Sequence, residues 1–325
     1  MRLWPMAQPP LPPKAEVQLC LPPTVNAVVA ITLVAITLVA IVLASCVGAR
    51  GPRQAAVRIE RGSVVASDGH CIEVMSYSPT PSSPVAVALF AHGGCFHDGD
   101  CTTHPAVSKA LAQMGIASVS SSYRQGANHP HPAAQQDLTS VAKFARVRWP
   151  SLPFGVVGSS SGGWHALMLA RTLPDVRFCV ALAPVAHPAK RLRYLEACMS
   201  ASAAERGYTV EHTTDTARSM ILKQTSYWRT EEAMAVAGDA LLEPPDANHR
   251  VPTLLVIGNA DKNVPVDVTL GVQSWAERTV VLGDGIGHEL QNAPPESNSW
   301  SPDVDRFLAE RVLHRPWDKR AFAPM

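Results

Sequence analysis

The hydrophobic and polar positions of the chain change period along its length. Two alternating stretches, at residues 57–66 and 71–77, are separated by Ser67-Asp68-Gly69, a pattern typical of an antiparallel hairpin. Short apolar runs follow, and runs of this kind favour strands that are buried on both faces of a parallel sheet. They cover residues 85–91, 117–121, 154–158, 178–182, 253–258 and 279–282.

Segments with helical periodicity lie between these apolar runs. They cover residues 105–114, 133–147, 163–173, 269–277 and 302–313. Regular alternation of strand and helix predicts an α/β fold with a doubly wound, mostly parallel sheet and right-handed crossovers.

One interval is too long for an ordinary crossover. Roughly 64 residues, 187–250, separate two strands that a much shorter connection could join. The interval contains two helical stretches, at 192–202 and 230–242, and several aromatic residues. We interpret it as a helical cap inserted above the functional site of the domain.

The N-terminal part has a different composition. Residues 1–24 are rich in proline and are predicted to be unstructured. Residues 25–47 contain no charged side chain and are long enough to span a bilayer as a helix. A signal anchor, a cleaved secretory segment and a lipoprotein signal with Cys46 as the lipidated residue stay open. The few flanking Lys and Arg residues do not decide which side of a membrane the remainder, residues 55–325, would occupy.

Composition agrees with a folded domain of this size. Hydrophobic residues make up 46% and charged residues 17% of the 325 positions, enough for a sizeable core. The formal net charge of +1 gives no electrostatic basis for a nucleic-acid partner. Seven cysteines show no C-x-x-C spacing, and a disulfide between Cys95 and Cys101 stays open.

The most specific motif is Gly158-Ser159-Ser160-Ser161-Gly162. It ends an apolar strand and opens a helix, which is the context of a nucleophile elbow, a sharp turn that holds a serine clear of the sheet. Of the three adjacent serines, only Ser160 has glycine at both the second preceding and the second following position. Ser160 is therefore the predicted nucleophile.

A second glycine motif, His92-Gly93-Gly94-Cys95, directly follows another apolar strand. Backbone N–H groups in such a loop can stabilise the negative charge that develops on a carbonyl oxygen during acyl transfer. We expect the oxyanion hole to be formed by the N–H groups of Gly94, Cys95 and Ser161. His92 is expected to fix the loop rather than to take part in chemistry.

A serine nucleophile needs a general base, which an acidic residue orients. In this fold the acid follows the nucleophile in the chain and the base comes last. Asp261 and His288 each lie just beyond an apolar strand, where open α/β sheets gather their functional residues. Asp267 and Asp284 are the alternatives to Asp261.

Other histidines and cysteines are not predicted to bind metal. His97, Cys101 and His104, and also His129 and His131, carry donor atoms, but a zinc site needs several converging ligands. Phe96 and His97 are expected to line the mouth of the pocket, and neither a metal nor an organic cofactor is implied.

Taken together, residues from about 85 to 313 resemble an α/β-hydrolase esterase of the hormone-sensitive-lipase-like and kynurenine-formamidase-like groups. Ser122-Tyr123-Arg124, His129–Ala134 and Asp137 are similar to a segment that, in those groups, packs the helix before the nucleophile strand. The chain departs from the lipase-like pattern at Cys95, where that group has a third glycine, and at Ser159, where it commonly has an acid.

The resemblance implies a serine hydrolase that cleaves small-molecule carboxylic esters through an acyl-enzyme. A peptidase, an amidase or an arylformamidase on the same fold remains an alternative, and a catalytically inactive, membrane-tethered binding module is an alternative of another class.

Overall fold

The computed structural model describes residues 56–200, 214–246, 249–283, 285–288, 290 and 301–316. The chain divides into two compact units, Met1–Arg53 and Gln54–Met325. The Pro-rich leader and the apolar segment 25–47 lie outside the described residues. Among the residues that are described, no helix is both long and apolar enough to cross a membrane, and the spanning segment stays a prediction.

An eight-stranded sheet forms the centre of the second unit, in the order β1-β2-β4-β3-β5-β6-β7-β8. The strands are β1 Ala56–Val65, β2 Cys71–Thr80, β3 Ala86–Ala91, β4 Ile116–Ser121, β5 Phe154–Ser159, β6 Val176–Leu182, β7 Thr253–Gly258 and β8 Arg278–Leu282. The pairs β1–β2 and β2–β4 are antiparallel, and all later pairs are parallel. The predicted mostly parallel α/β sheet and its N-terminal hairpin are confirmed.

Helices cover both faces of this sheet, which explains why its central strands consist mostly of apolar residues. Neighbouring residues of one strand pack into different cores: Leu89 and Val156 contribute to one cluster, whereas Phe90 and Val157 contribute to the other. A residue pointing to either face is therefore removed from water, which favours apolar side chains, although β4 also buries Ser118, Ser120 and Ser121.

The helices of the described chain are, in order, α1 Pro105–Gln113, α2 Ala133–Arg148, α3 Ser161–Thr172, α4 Pro188–Ser200, α5 Thr214–Trp228, α6 Glu231–Leu242, α7 Val266–Leu270 and α8 Ser301–Arg311. The helix predicted at 269–277 is wrong, because α7 ends before Gly271 and turns follow it. In those turns Val272 is fully buried and Trp275 donates its indole N–H to the carbonyl of Leu241, at 2.7 Å. Tertiary packing thus satisfies these apolar residues without a helix.

The long insertion carries α4, α5 and α6 between β6 and β7. Two of its side chains reach loops at the carboxyl ends of the parallel strands. Arg191 of α4 contacts Cys95 after β3 and Asn263 after β7, and Lys223 of α5 pairs with Asp98 at 2.5 Å. The insertion therefore packs against the edge of the sheet where the predicted site residues lie.

Candidate active site

Ser160 stands at a sharp turn between β5 and α3. Its φ of 54° and ψ of −120° place it in a backbone conformation that non-glycine residues rarely adopt. The turn leaves no room at its flanking glycines: a Cβ on Gly158 would lie 2.1 Å from the carbonyl oxygen of Gly162, and one on Gly162 would lie 2.1 Å from that of His92. These clashes explain why the motif has glycine at both positions.

Hydrogen bonds hold the main chain of Ser160 in this strained conformation. Its N–H donates to the carbonyl of Leu182 at the end of β6, at 2.9 Å. Its own carbonyl accepts from the N–H groups of Gly163 at 3.0 Å and Val185 at 3.1 Å. The serine is only 5% exposed, so its hydroxyl lies inside a nearly closed site.

Of the three residues predicted to act together, His288 lies within hydrogen-bonding distance of both Ser160 and Asp261. The Nε2 atom of His288 is 3.0 Å from Oγ of Ser160, and Nδ1 of His288 is 2.7 Å from Oδ2 of Asp261. An ionised carboxylate can only accept, so we assign the ring proton to Nδ1. This tautomer leaves Nε2 free to accept the proton of the serine hydroxyl.

The loop after β7 fixes Asp261. Its second carboxylate oxygen, Oδ1, accepts from the backbone N–H of Asn263 at 2.9 Å and of Val264 at 2.8 Å. The aspartate side chain has no exposed surface, and that of His288 is 11% exposed. Of the two alternatives for this position, Asp267 lies within α7, and Asp284 lies outside the described residues.

The loop that contains His92-Gly93-Gly94-Cys95 passes directly beside Ser160. A Cβ added to Gly93 would lie 3.1 Å from that of Ser160, and one on Gly94 would lie 1.8 Å from the carbonyl oxygen of Asp98. Ser161 is the first residue of α3, where a helix leaves its N–H groups without acceptors inside the helix. The fold thus brings the glycine loop next to Ser160, and Ser161 directly follows Ser160 in the chain.

His92 stabilises this loop, as the sequence predicts. Its ring is completely buried, and Nδ1 donates to the carbonyl of Gly93 at 2.6 Å. The carbonyl of His92 accepts from the hydroxyl of Tyr123 at 2.6 Å, and the two rings stack at 4.3 Å. Burial lowers the pKa of His92 to about 4, so its imidazole is neutral at pH 7.

The segment after β4 is also structural. Asp137 of α2 is fully buried and accepts from the backbone N–H of Arg124 at 2.8 Å and from its guanidinium at 2.7 Å. Arg124 also pairs with Asp68 in the β1–β2 turn at 2.7 Å. The segment therefore ties α2 to the edge of the sheet, as the resemblance implies.

One expectation for the pocket mouth is wrong. Phe96 is completely buried, because its ring stacks on Tyr227 of α5 at 5.4 Å and packs edge-on against Trp164 of α3. His97 is exposed and lies 2.8 Å from Asp98. Sequence patterns could not predict the burial of Phe96, because its aromatic partners come from helices that are distant in the chain.

The structure answers the sequence-based questions about a disulfide and about metal ligands. Cys95 and Cys101 are free thiols, so the disulfide that the sequence left open does not form in this structure. Within the described part of the chain, no three His, Cys, Asp or Glu side chains converge as metal ligands do.

Two residues near the site were not identified from the sequence. Arg191, in the basic stretch Lys190-Arg191-Leu192-Arg193, has the pattern of an ordinary charged helix face, and Asn263 that of a turn residue. The structure buries Arg191 completely and brings it into contact with Asn263. Only the packing of the insertion reveals this pair.

Comparison with known proteins identifies the family. The profile of a family with the alpha/beta hydrolase fold matches residues 88–265. Lipase 2 of Moraxella sp. (strain TA144) is 32% identical over 135 residues, which cover 38% of this chain and 31% of the lipase. The aligned region therefore spans less than a third of that relative's length.

Solved structures show the same fold at low sequence identity. A hyperthermophilic esterase from the archaeon Pyrobaculum calidifontis is 20% identical, with a TM-score of 0.60, over 79% of this chain and 86% of the esterase. Brefeldin A esterase, described as a bacterial homologue of human hormone-sensitive lipase, is 15% identical, with a TM-score of 0.57, over 83% of this chain and 79% of that one. Since the family profile covers more than half of the sequence, the chain belongs to the α/β-hydrolase-fold family.

Proposed function

We propose that the protein is a serine hydrolase that cleaves carboxylic esters through an acyl-enzyme intermediate. The observation that carries the proposal is the unbroken series of contacts from Asp261 through His288 to Ser160. In the first step, Oγ of Ser160 attacks the ester carbonyl while Nε2 of His288 takes the hydroxyl proton. Asp261 keeps the ring oriented and stabilises the positive charge that the imidazole gains.

The N–H groups of Gly94, Cys95 and Ser161 are proposed to stabilise the oxyanion of the tetrahedral intermediate. When this intermediate collapses, the alcohol leaves with the proton that His288 has held. Water then attacks the acyl-enzyme, and His288 accepts one of its protons. The second collapse releases the carboxylic acid and returns the proton to Ser160.

Preference for esters rests on the relatives. Those compared above are named as a lipase or as esterases, and the residues that would perform the chemistry suit both esters and amides. Only measured substrate preference can therefore distinguish an esterase from a peptidase, an amidase or an arylformamidase.

Labelling by a fluorophosphonate probe tests the nucleophile. We expect the wild type to be labelled and Ser160→Ala to remain unlabelled, because the hydroxyl of Ser160 lies 3.0 Å from Nε2 of His288. Ser159→Ala and Ser161→Ala are matched controls, since each removes a neighbouring hydroxyl of the same turn, and both should retain labelling. Labelling that persists in Ser160→Ala would assign the nucleophile elsewhere.

A substrate panel tests the ester preference. We expect p-nitrophenyl esters to be hydrolysed faster than p-nitroanilides and aryl formamides, with kcat reduced by about 10⁴-fold or more in Ser160→Ala. Faster cleavage of an anilide or a formamide would replace the esterase proposal with one of the alternatives. A folded wild type that neither labels nor hydrolyses any of them would favour a binding module.

We also propose that the segment 25–47 attaches the protein to a membrane, either as a single span or through a lipidated Cys46. This proposal rests on the uncharged apolar sequence alone.

A further inference from the structure

Arg191 is a buried cation whose hydrogen-bond partners among the described residues are carbonyl and amide oxygens and a cysteine sulfur. It is 0% exposed. Its Nε donates to the carbonyl of Asn263 at 3.1 Å, and Nη1 donates to Oε1 of Gln224 at 2.7 Å. Its Nη2 donates to Oδ1 of Asn263 and contacts Sγ of Cys95 at 3.3 Å. Within the described part of the chain, no carboxylate forms an ion pair with it.

Stability alone does not explain this arrangement. A guanidinium removed from water loses its hydration, and a carboxylate partner normally offsets part of that loss. Arg193, two residues later on α4, shows the ordinary alternative: its side chain is 61% exposed and lies 3.8 Å from Glu231. What Arg191 offers instead is a planar fork with donors in fixed directions, able to hold several acceptors at once.

Two of the residues that Arg191 contacts, Asn263 and Cys95, belong to the loops that carry Asp261 and the proposed oxyanion N–H groups. The backbone N–H of Asn263 donates to Oδ1 of Asp261 at 2.9 Å, and the other oxygen of Asp261 holds His288. Cys95 carries one of the proposed oxyanion N–H groups. The guanidinium thus contacts the loop that orients the acid and the loop that would receive the oxyanion.

The partner on the cap is itself fixed. Gln224 of α5 accepts from Arg191 through Oε1, and its Nε2 donates to the carbonyl of Pro188 at 2.8 Å. Gln224 is fully buried, so its amide cannot exchange these partners for water. Contacts with Gln224 of the insertion and with Asn263 of the loop after β7 together orient the guanidinium.

We propose that Arg191 is a positioning residue for the hydrolysis described above, and the proposal rests on that function. Through Asn263 it fixes Asp261 against His288, and through Cys95 it fixes the oxyanion loop. Its positive charge, which lies close to Cys95 of that loop, also favours the state in which the oxyanion is present. The cap thereby contributes to catalysis and not only to enclosure of the substrate.

The geometry of the Asp261–His288 pair can be measured without any substrate. Proton NMR of the full chain should show a low-field resonance from the Nδ1–H of His288, identified by its absence in His288→Gln. We expect this resonance to be retained in Arg193→Met, the matched control on the same helix. In Arg191→Met it should disappear or shift to higher field, because Asp261 loses its support. An unchanged resonance in Arg191→Met would overturn the proposal.

Kinetics on a short p-nitrophenyl ester provide the second readout. Displacement of catalytic groups by about 1 Å can cost about 10²-fold in rate, so we expect kcat of Arg191→Met to fall by about 10²-fold with KM within about threefold. Arg191→Lys, which keeps the charge but not the fork, should lie between this variant and the wild type. A lower melting temperature with an unchanged kcat per labelled serine would mean that Arg191 only stabilises the fold.

A second variant covers the case in which Arg191→Met does not fold. Asn263→Ala removes one acceptor of the guanidinium but leaves the backbone N–H on Asp261, and we expect a smaller loss of kcat, about 10-fold, in the same direction. Wild-type kcat in Asn263→Ala, with the His288 resonance unchanged, would overturn the proposal. If the wild type hydrolyses no ester, the proposed function fails, whereas the NMR comparison still decides the role of Arg191.

Discussion

Buried imidazoles are an unusual residue-scale feature of this site. His165 of α3 is completely buried, and its Nδ1 lies 2.9 Å from Oε1 of Gln135. Burial, with smaller effects of His131 and His92, lowers the pKa of His165 to about 3. Like His92, whose pKa is about 4, it is neutral in the folded chain at pH 7.

This burial predicts a loss of stability in acid. Each ring binds a proton near pH 6.5 in the unfolded chain but only near pH 4 or pH 3 in the folded chain. Between these limits the unfolded state holds more protons, so the free energy of unfolding decreases as the pH falls, by about 1.4 kcal/mol per pH unit for each histidine.

Urea unfolding from pH 7 to pH 4.5 measures this dependence. His165→Gln should reduce the slope by about 1.4 kcal/mol per pH unit below pH 6, because one of the two rings no longer titrates. His129→Gln, which alters an exposed histidine, is the control and should retain the wild-type slope. Equal slopes in the wild type and His165→Gln would show that burial of His165 does not control acid stability.

At the scale of elements, the Arg124–Asp137 pair joins α2 to the end of β4. The carboxylate of Asp137 is fully buried, and the side chain of Arg124 is 14% exposed. Loss of the arginine would leave a buried negative charge with little more than a backbone N–H to stabilise it. An unpaired buried charge is among the largest single causes of destabilisation.

We therefore expect Arg124→Met to lower the free energy of unfolding by about 3 kcal/mol at pH 7, as measured by urea unfolding. Arg148→Met is the control: its pair with Glu60, at 2.5 Å, has side chains that are 35% and 42% exposed. Removal of that surface pair should cost less than about 1 kcal/mol. Similar losses in both variants would contradict the structural role assigned to Arg124.

The elements also show where sequence patterns stop being informative. The apolar strands are identified from sequence to within about two residues, since burial on both faces leaves an unmistakable composition. Helix α5, by contrast, was not predicted: its sequence TDTARSMILKQTSYW mixes polar residues with apolar ones. Tertiary packing stabilises it, because Tyr227 and Trp228 at its end pack against Phe96 in the loop after β3.

At the scale of the whole molecule, the apolar segment predicts membrane attachment. We expect the full chain to sediment with membranes and to resist extraction at alkaline pH, whereas a variant lacking residues 25–47 should be recovered in the supernatant. Cys46→Ser separates the two modes of attachment, because it should release the protein only if a lipid on Cys46 is the anchor. Recovery of the intact full chain in the supernatant would contradict the prediction.

The sequence by itself determined the features whose physical cause is local. A strained turn needs glycine on both sides of Ser160, and a loop that passes close to it needs Gly93 and Gly94, so both appear as motifs. Burial on both faces makes the parallel strands recognisable as apolar runs in the sequence. Asp261 and His288 could be placed because parallel strands end at one edge of the sheet.

Tertiary structure alone decided which distant groups touch. The sequence could not show that Phe96 is buried under α5 or that Cys95 and Cys101 stay reduced, because each depends on how separate segments pack. The same holds for Arg191, 96 residues from Cys95 and 72 from Asn263. Sequence patterns place a charged residue such as Arg191 at the surface. Only the packing of the insertion against the sheet buries Arg191 and brings it into contact with the loops of the active site.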